Sequence, residues 1–107
     1  MDIEAIFRAL ADGTRLRIMR LLGSMELSVG EVAQVLGQSQ PRVSRHVGIL
    51  SAAGLVERRK EGSWVFLRAR HGGDVSDAVG ERIEGLLQAC EGEDPDFGAV
   101  CEQDRRQ

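Results

Sequence analysis

At Gly54 the hydrophobic period of the chain changes, and that change narrows the available folds more than any other feature. Upstream of it Val43, Val47 and Leu50 recur at i, i+4 and i+7, the spacing of one buried helix face. Downstream, "LVERRK" and "SWVFLRA" are short runs rich in Val, Trp and Phe, joined by Glu61-Gly62, which predicts a β-hairpin. The helix before Gly54 has a clear start. Ser39 is placed to cap it, and Pro41 is harmless there because first-turn amides lack intrahelical partners anyway. One helix earlier, Ser28-Val-Gly-Glu31 spells a capping box, Val29, Val32 and Leu36 face inward, and Gly37 supplies a left-handed stop.

Further helices flank this unit. Ile3, Ile6, Phe7 and Leu10 form a short apolar stripe that Asp12-Gly13 interrupts. Asp12 is then expected to cap a second helix that turns Leu16, Met19 and Leu22 inward and ends at Gly23. Arg15, Arg17 and Arg20 fall on its other faces and read as solvated surface. After "HGG" a fifth helix is expected, capped by Asp74, with a stripe of Val75, Val79, Ile83, Leu86, Leu87 and Cys90 that Gly80 and Gly85 weaken. That stripe is wider than one small domain needs to cover. From Glu91 on, "EGEDPDFGAVCEQDRRQ" reads as a frayed acidic tail. The expected fold is mainly α (α+β): four helices, a two-stranded hairpin wing, then a C-terminal helix. Residues 1–91 make the domain, and 92–107 a tail or linker.

Composition sets bounds on function. At 107 residues, 42% hydrophobic and 29% charged, the chain fits one soluble globular domain. The N-terminus lacks a basic start with an apolar run behind it, and no stretch approaches a membrane span, so the expected compartment is the cytoplasm without membrane contact. The formal net charge of −3 hides an asymmetry. Residues 1–70 carry eleven Lys and Arg against seven Asp and Glu, whereas residues 71–107 carry three against ten. Between 42 and 60, Arg42, Arg45, Arg58, Arg59 and Lys60 face Glu57 alone. Phosphate contact needs such a local surplus, not a basic average.

Two short helices with a tight turn between them, then a hairpin, make a helix-turn-helix with a wing. In that motif the second helix enters the major groove with its N-terminal residues at base edges. The residue types suit the task. Gln40 can pair with adenine and Arg42 or Arg45 with guanine, while Ser39 and Ser44 can take phosphate. Gln38 and His46 complete the polar face, and Arg58, Arg59, Lys60 and Ser63 on the hairpin would reach the flanking backbone. His46 in this setting reads as a DNA contact, whereas His71 reads as loop. Trp64 and Phe66 alternate on one strand face and read as core.

"LADGTRLRIMRLL" and "SVGEVAQVLGQSQPRVSRHVGILSAAGLVERRKEGSWVFLRA" resemble the ArsR/SmtB family of bacterial winged helix-turn-helix repressors, over roughly residues 3–90. The discriminating part is the run from Gln38-Ser39 through Ser44 and His46 to Ala53-Gly54-Leu55-Val56. The resemblance implies a homodimer on double-stranded operator DNA, with the first and last helices at the interface. Ile3, Ile6, Phe7, Val75, Val79, Ile83, Leu86 and Leu87 are the expected interface residues. It also implies release by an effector, which these residues leave unidentified. The family's thiolate metal site would begin the third helix, where this chain has Ser28-Val29-Gly30. Its other common site needs histidine on the last helix, which here offers Asp74, Asp77, Glu81 and Glu84 only. Hard carboxylates on a solvated face do not suit a borderline metal, so neither metal nor cofactor is expected.

Cys90 and Cys101 match no zinc or redox motif. Cys90 continues the apolar stripe and reads as packing, while Cys101 lies in the polar tail and reads as exposed. Together they keep a redox or arsenite-type thiol sensor as the alternative. Some relatives carry this module ahead of an S-adenosylmethionine-dependent methyltransferase, and "CEQDRRQ" resembles the start of a polar linker, so a fused regulator is a further alternative. No strand–glycine loop–helix unit for that cofactor is present. An enzyme reading fails on inventory: two His, no Tyr and no clustered Cys/His leave no acid–base pair. A winged helix for protein contact would more often show aromatic anchors on its exposed face.

Overall fold

Side-chain caps punctuate the chain in the computed structural model, which describes residues 1–69 and 77–107. Helix α1 (Ile3–Leu10) starts at Asp2, whose carboxylate accepts from the Ala5 amide. Asp12 accepts from the Arg15 amide and opens α2 (Gly13–Ser24), which runs one residue past the expected stop at Gly23. A two-residue strand β1 (Leu27–Ser28) leads into α3 (Val29–Leu36). Its capping box is complete: Ser28 Oγ accepts from the Glu31 amide and the Glu31 carboxylate from the Ser28 amide. Gly37 ends α3 at φ 67°, where a side chain would be strained. Ser39 caps α4 (Gln40–Ala52), with Pro41 in its first turn.

The hairpin follows as β2 (Val56–Glu61) and β3 (Trp64–Ala69), turning at Gly62-Ser63 rather than Glu61-Gly62. β1 adds to β3, so the sheet has three antiparallel strands in the order β1-β3-β2 instead of the expected two. Ile18, Val32, Val43, Val47, Leu50 and Leu67 have no exposed surface and form the centre of the core. Fully burying each contributes roughly 1.5–3 kcal/mol, which makes α4 a well-seated element.

Register decides which face of the wing is buried. Leu67 pairs with Arg58 on one side and Leu27 on the other, and the helices cover that face. Trp64 and Phe66 have the opposite parity, so they stack on the outer face with Trp64 63% exposed. The expectation that they are core is corrected. The run "WVFLRA" carries apolar residues of both parities, and only the neighbouring strand chooses between them.

The acidic segment also departs from expectation. Asp94 caps a sixth helix, α6 (Pro95–Arg105), which packs on α2 and on α5 (Asp77–Glu93). Arg17 donates twice to Asp104, at 3.0 and 2.8 Å, although Asp104 is only 3% exposed. Glu91 accepts from Arg20 at 3.1 Å and from both terminal nitrogens of Arg105, at 2.9 and 2.7 Å. Arg15, Arg17 and Arg20 are therefore not a solvated surface. Ile6 and Leu87 lie in the chain's own core and are corrected as interface residues, while Ile3, Phe7 and Leu86 stay exposed and Val79 and Ile83 are half-buried against the core. The expected cap Asp74 and interface residue Val75 lie outside the described residues.

Two predictions follow from α6. A Cβ on Gly98 would stand 2.5 Å from the Glu91 carbonyl oxygen, a backbone atom that cannot move cheaply. Gly98→Ala should destabilise the fold by about 1–3 kcal/mol in thermal or urea unfolding. Arg105, then Arg20, hold the Glu91 carboxyl down at about 2 against an ordinary 4.5, while burial opposes them. A depressed carboxyl stabilises the fold fully above its unfolded value and loses that contribution as pH falls through the folded one. Acid unfolding between pH 4.5 and 2 should therefore be shallower in Glu91→Gln than in the parent, read by circular dichroism.

Candidate nucleic-acid interface

Four of the side chains expected on α4 stand outward: Gln40, Arg42, Ser44 and Arg45. The three inward positions, Val43, Val47 and Leu50, fix that choice of face. Gln40, Ser44 and Arg45 make no side-chain hydrogen bond among the described residues. They are uncommitted donors and acceptors. Ser39 is occupied as the cap, its Oγ accepting from the Arg42 amide at 3.4 Å. Gln38 lies beside the helix and works as a brace. Its amide donates to Thr14 Oγ1 at 3.1 Å, and its carbonyl accepts from Arg42 Nε at 3.0 Å, tying α4 to α2.

His46 does not stand outward. Its side chain is 12% exposed, with Nδ1 3.2 Å from Arg15 Nη1 and 4.0 Å from Asp12 Oδ1. Burial first, then the charges of Arg15, Arg42 and Arg45, lower its pKa below the ordinary histidine value, while Asp12 pulls the other way. The sequence placed it on the DNA face because position 46 borders both the polar and the buried sector. The unseen partner was Arg15, thirty-one residues earlier.

The wing divides by strand face. Arg58, Lys60 and the turn residue Ser63 are exposed, and none has a hydrogen-bonded side-chain partner among the described residues. Arg59 is on the other face and already engaged. It donates to Glu26 at 3.0 Å and to Glu61 at 2.7 Å, and its guanidinium lies 5.3 Å from the Phe66 ring centre. Those carboxylates, Glu26 first, raise the pKa of Arg59, which is thereby neutralised within the fold. Arg68 and Glu57 pair across the same outer face. Sequence reasoning missed Glu26 because it lies in the segment before β1, and only the third strand brings it alongside.

The thiols are placed oppositely to expectation. Cys90 is exposed and Cys101 buried. Burial, with the Glu91 and Asp104 carboxylates nearby, pushes the Cys101 thiol up to about 11, so it is protonated and unreactive at neutral pH. Among the described residues no three His, Cys, Asp or Glu side chains gather as a metal site. No helix there is long and apolar enough to cross a membrane.

Two helices joined by a tight turn, the second bearing uncommitted polar side chains, and then a hairpin make a winged helix-turn-helix domain. A helix-turn-helix domain family matches residues 10–59. The chain is 47% identical over 64 residues to the arsenical resistance operon repressor of Escherichia coli, covering 59% of this chain and 55% of that one. It therefore spans about half the length of that relative. It is 36% identical over 85 residues to the arsenic resistance transcriptional regulator ArsR2 of Pseudomonas putida, covering 78% and 72%. Among solved structures, a homodimeric winged helix-turn-helix DNA-binding domain from Mycobacterium bovis superposes with a TM-score of 0.70 at 31% identity, over 85% of this chain and 79% of that one. The chain belongs to the ArsR/SmtB family of winged helix-turn-helix regulators.

Proposed function

We propose that this protein is a transcriptional repressor, without catalytic activity, that binds double-stranded operator DNA as a homodimer in the cytoplasm and is released by an effector. One observation carries the reading. Among the described residues Gln40, Ser44 and Arg45 stand uncommitted on the N-terminal half of a helix whose other face is fully buried, and Arg58 and Lys60 have no hydrogen-bonded partner on the adjoining wing. The same inventory argues against a thiol sensor built on Cys90 and Cys101 together, since Cys101 is buried and offers Cys90 no accessible partner within the subunit. The relatives named as arsenic resistance regulators support the repressor class, whereas Ser28-Val29-Gly30, where the family resemblance would put thiolate metal ligands, offers none.

Binding to duplexes from the region upstream of its own gene tests the proposal, and equal affinity for all sequences would overturn it. Arg45→Ala should cost roughly 1–3 kcal/mol and relax preference at one position per half-site, if Arg45 grips a base with two hydrogen bonds. On the wing, Arg58→Ala with Lys60→Ala should lower the salt dependence by about two phosphate contacts per subunit. Arg59→Ala should leave the slope nearly unchanged, because its charge is already matched by Glu26 and Glu61. A slope that falls equally for Arg59 would return that residue to the DNA face.

The homodimer is supported by Ile3 and Phe7 on α1, the latter 60% exposed, and by Leu86 on α5. These are large apolar side chains that the described residues leave more than half exposed. Phe7→Asp places a charge where a subunit face would bury it, which is costly without a partner. The variant should sediment as a folded monomer and lose operator affinity. A dimer of parental strength would remove α1 from the interface.

A further inference from the structure

The Arg15–His46 contact joins the helix proposed to read DNA to the junction of α1 and α2, and its chemistry permits only one arrangement. Arginine is always a donor, so Nδ1 of His46 is the acceptor and the imidazole carries its proton on Nε2. The Arg15 guanidinium is itself held on three sides. Nε donates to the Ala9 carbonyl at 2.6 Å and Nη2 to the Arg8 carbonyl at 3.3 Å, both in the last turn of α1, where the Arg8 oxygen also accepts from the Ala11 amide. Nη1 lies 3.9 Å from Asp12 as well as 3.2 Å from His46. His46 follows Arg45 directly and lies one turn beyond Arg42 on the same helix.

We propose that Arg15 and His46 are a positioning pair for the reading helix, and that the pair holds only while His46 is neutral. The proposal rests on the DNA-binding reading above. Apolar packing of Val43, Val47 and Leu50 fixes which face of α4 is buried but is tolerant of small rotations, because burial has no directional preference. A hydrogen bond to an anchored guanidinium is directional. It sets the rotation of α4 at the residue next to Arg45, and with it the line on which Gln40, Ser44 and Arg45 meet base edges.

Protonation removes the acceptor and sets a second cation against Arg15. The charged groups facing the ring are Asp12 at the start of α2, Arg15 within α2, and Arg42 and Arg45 on α4 itself. Three cations against one carboxylate, in a half-enclosed site, resist a further positive charge. Asp12 is held in its ionised form by the Arg15 amide and guanidinium, although burial opposes that. Operator affinity is therefore expected to fall as the pH drops below the ordinary histidine range.

The sign of that change separates positioning from contact. A histidine touching phosphate gains affinity on protonation, because a new cation meets the backbone. A positioning histidine that must stay neutral loses it. The test measures operator affinity of the full chain from pH 7.5 to 5.5 for the parent, His46→Asn and His46→Phe. Asparagine places a carbonyl oxygen near the position of Nδ1 and does not titrate, whereas phenylalanine keeps the ring volume without an acceptor. Expected are a parent that weakens in acid, a His46→Asn variant of near-parental affinity at pH 7.5 with a flatter profile, and a His46→Phe variant weaker by about tenfold throughout, the loss of one hydrogen bond to a charged group. Parental affinity that rises in acid, or His46→Phe binding like the parent, would overturn the proposal.

A second readout does not need DNA. Imidazole nitrogen NMR of the free protein should show Nδ1 unprotonated and a titration below 6.5 that moves toward the ordinary value in Arg15→Ala. A proton found on Nδ1, or a titration indifferent to Arg15, refutes the pair even if the chain proves to bind no operator. Correct NMR behaviour with no specific duplex binding at any pH would instead sink the repressor reading, and with it the positioning role.

Discussion

Three arginines of α2 set how the rest of the chain is arranged around them. Ile18, Met19, Leu21 and Leu22 bury one side of this helix, and Arg15, Arg17 and Arg20 leave it in other directions under cover of neighbouring elements. A guanidinium taken out of water without a partner costs several kcal/mol, so each must meet an acceptor where it emerges. Arg15 meets the end of α1 and His46 of α4; Arg17 meets Asp104 of α6; Arg20 meets Glu91 of α5. The helix is thus both the centre of the core and the point to which the outer helices are fastened.

The charge asymmetry of the chain takes on a structural meaning in that light. Part of the N-terminal surplus of Lys and Arg is matched by the C-terminal surplus of Asp and Glu, across the contacts of α2 with α5 and α6. On the outer face of the wing, Glu26, Glu61 and Glu57 match Arg59 and Arg68. Arg45, Arg58 and Lys60 are left unmatched among the described residues, and Gln40 and Ser44 lie beside Arg45 on the same helix. A chain of net charge −3 can still present a positive face, because its acids are spent on other surfaces.

Local signals in the sequence were legible wherever one residue acts on its near neighbours. Asp12, Ser28 with Glu31, Gly37 and Ser39 are helix stops and starts that depend on three or four residues, and all stand where the sequence puts them. The stripe Val43, Val47, Leu50 is of the same kind. What was hidden depends on distant partners. The run 92–107 looks unable to fold by itself, yet Phe97, Val100 and Cys101 share one helix face, and Arg17 supplies the partner that lets Asp104 be buried. Once α6 exists, Cys101 is enclosed and Cys90 is not, which inverts the expectation for both thiols. Trp64 and Phe66 fail for a related reason, since strand parity is decided by β1.

His46 is the instructive case, because its residue type and spacing were read correctly and its direction was not. A helix in this motif has three sectors: one that packs, one that faces DNA, and a seam between them. The seam is where polar side chains can be half-buried without losing their hydrogen bonds, because partners from the preceding helix lie within reach. Gln38, just before the start of α4, and His46, midway along it, both lie on that seam and reach back to α2, to Thr14 and Arg15. Non-directional burial then holds the helix in place, and directional bonds just before its start and at its middle are suited to hold it in rotation. A polar residue beside a base-reading position is therefore as well suited to aim its neighbours as to touch the duplex, and which of the two it does is decided by the helix behind it.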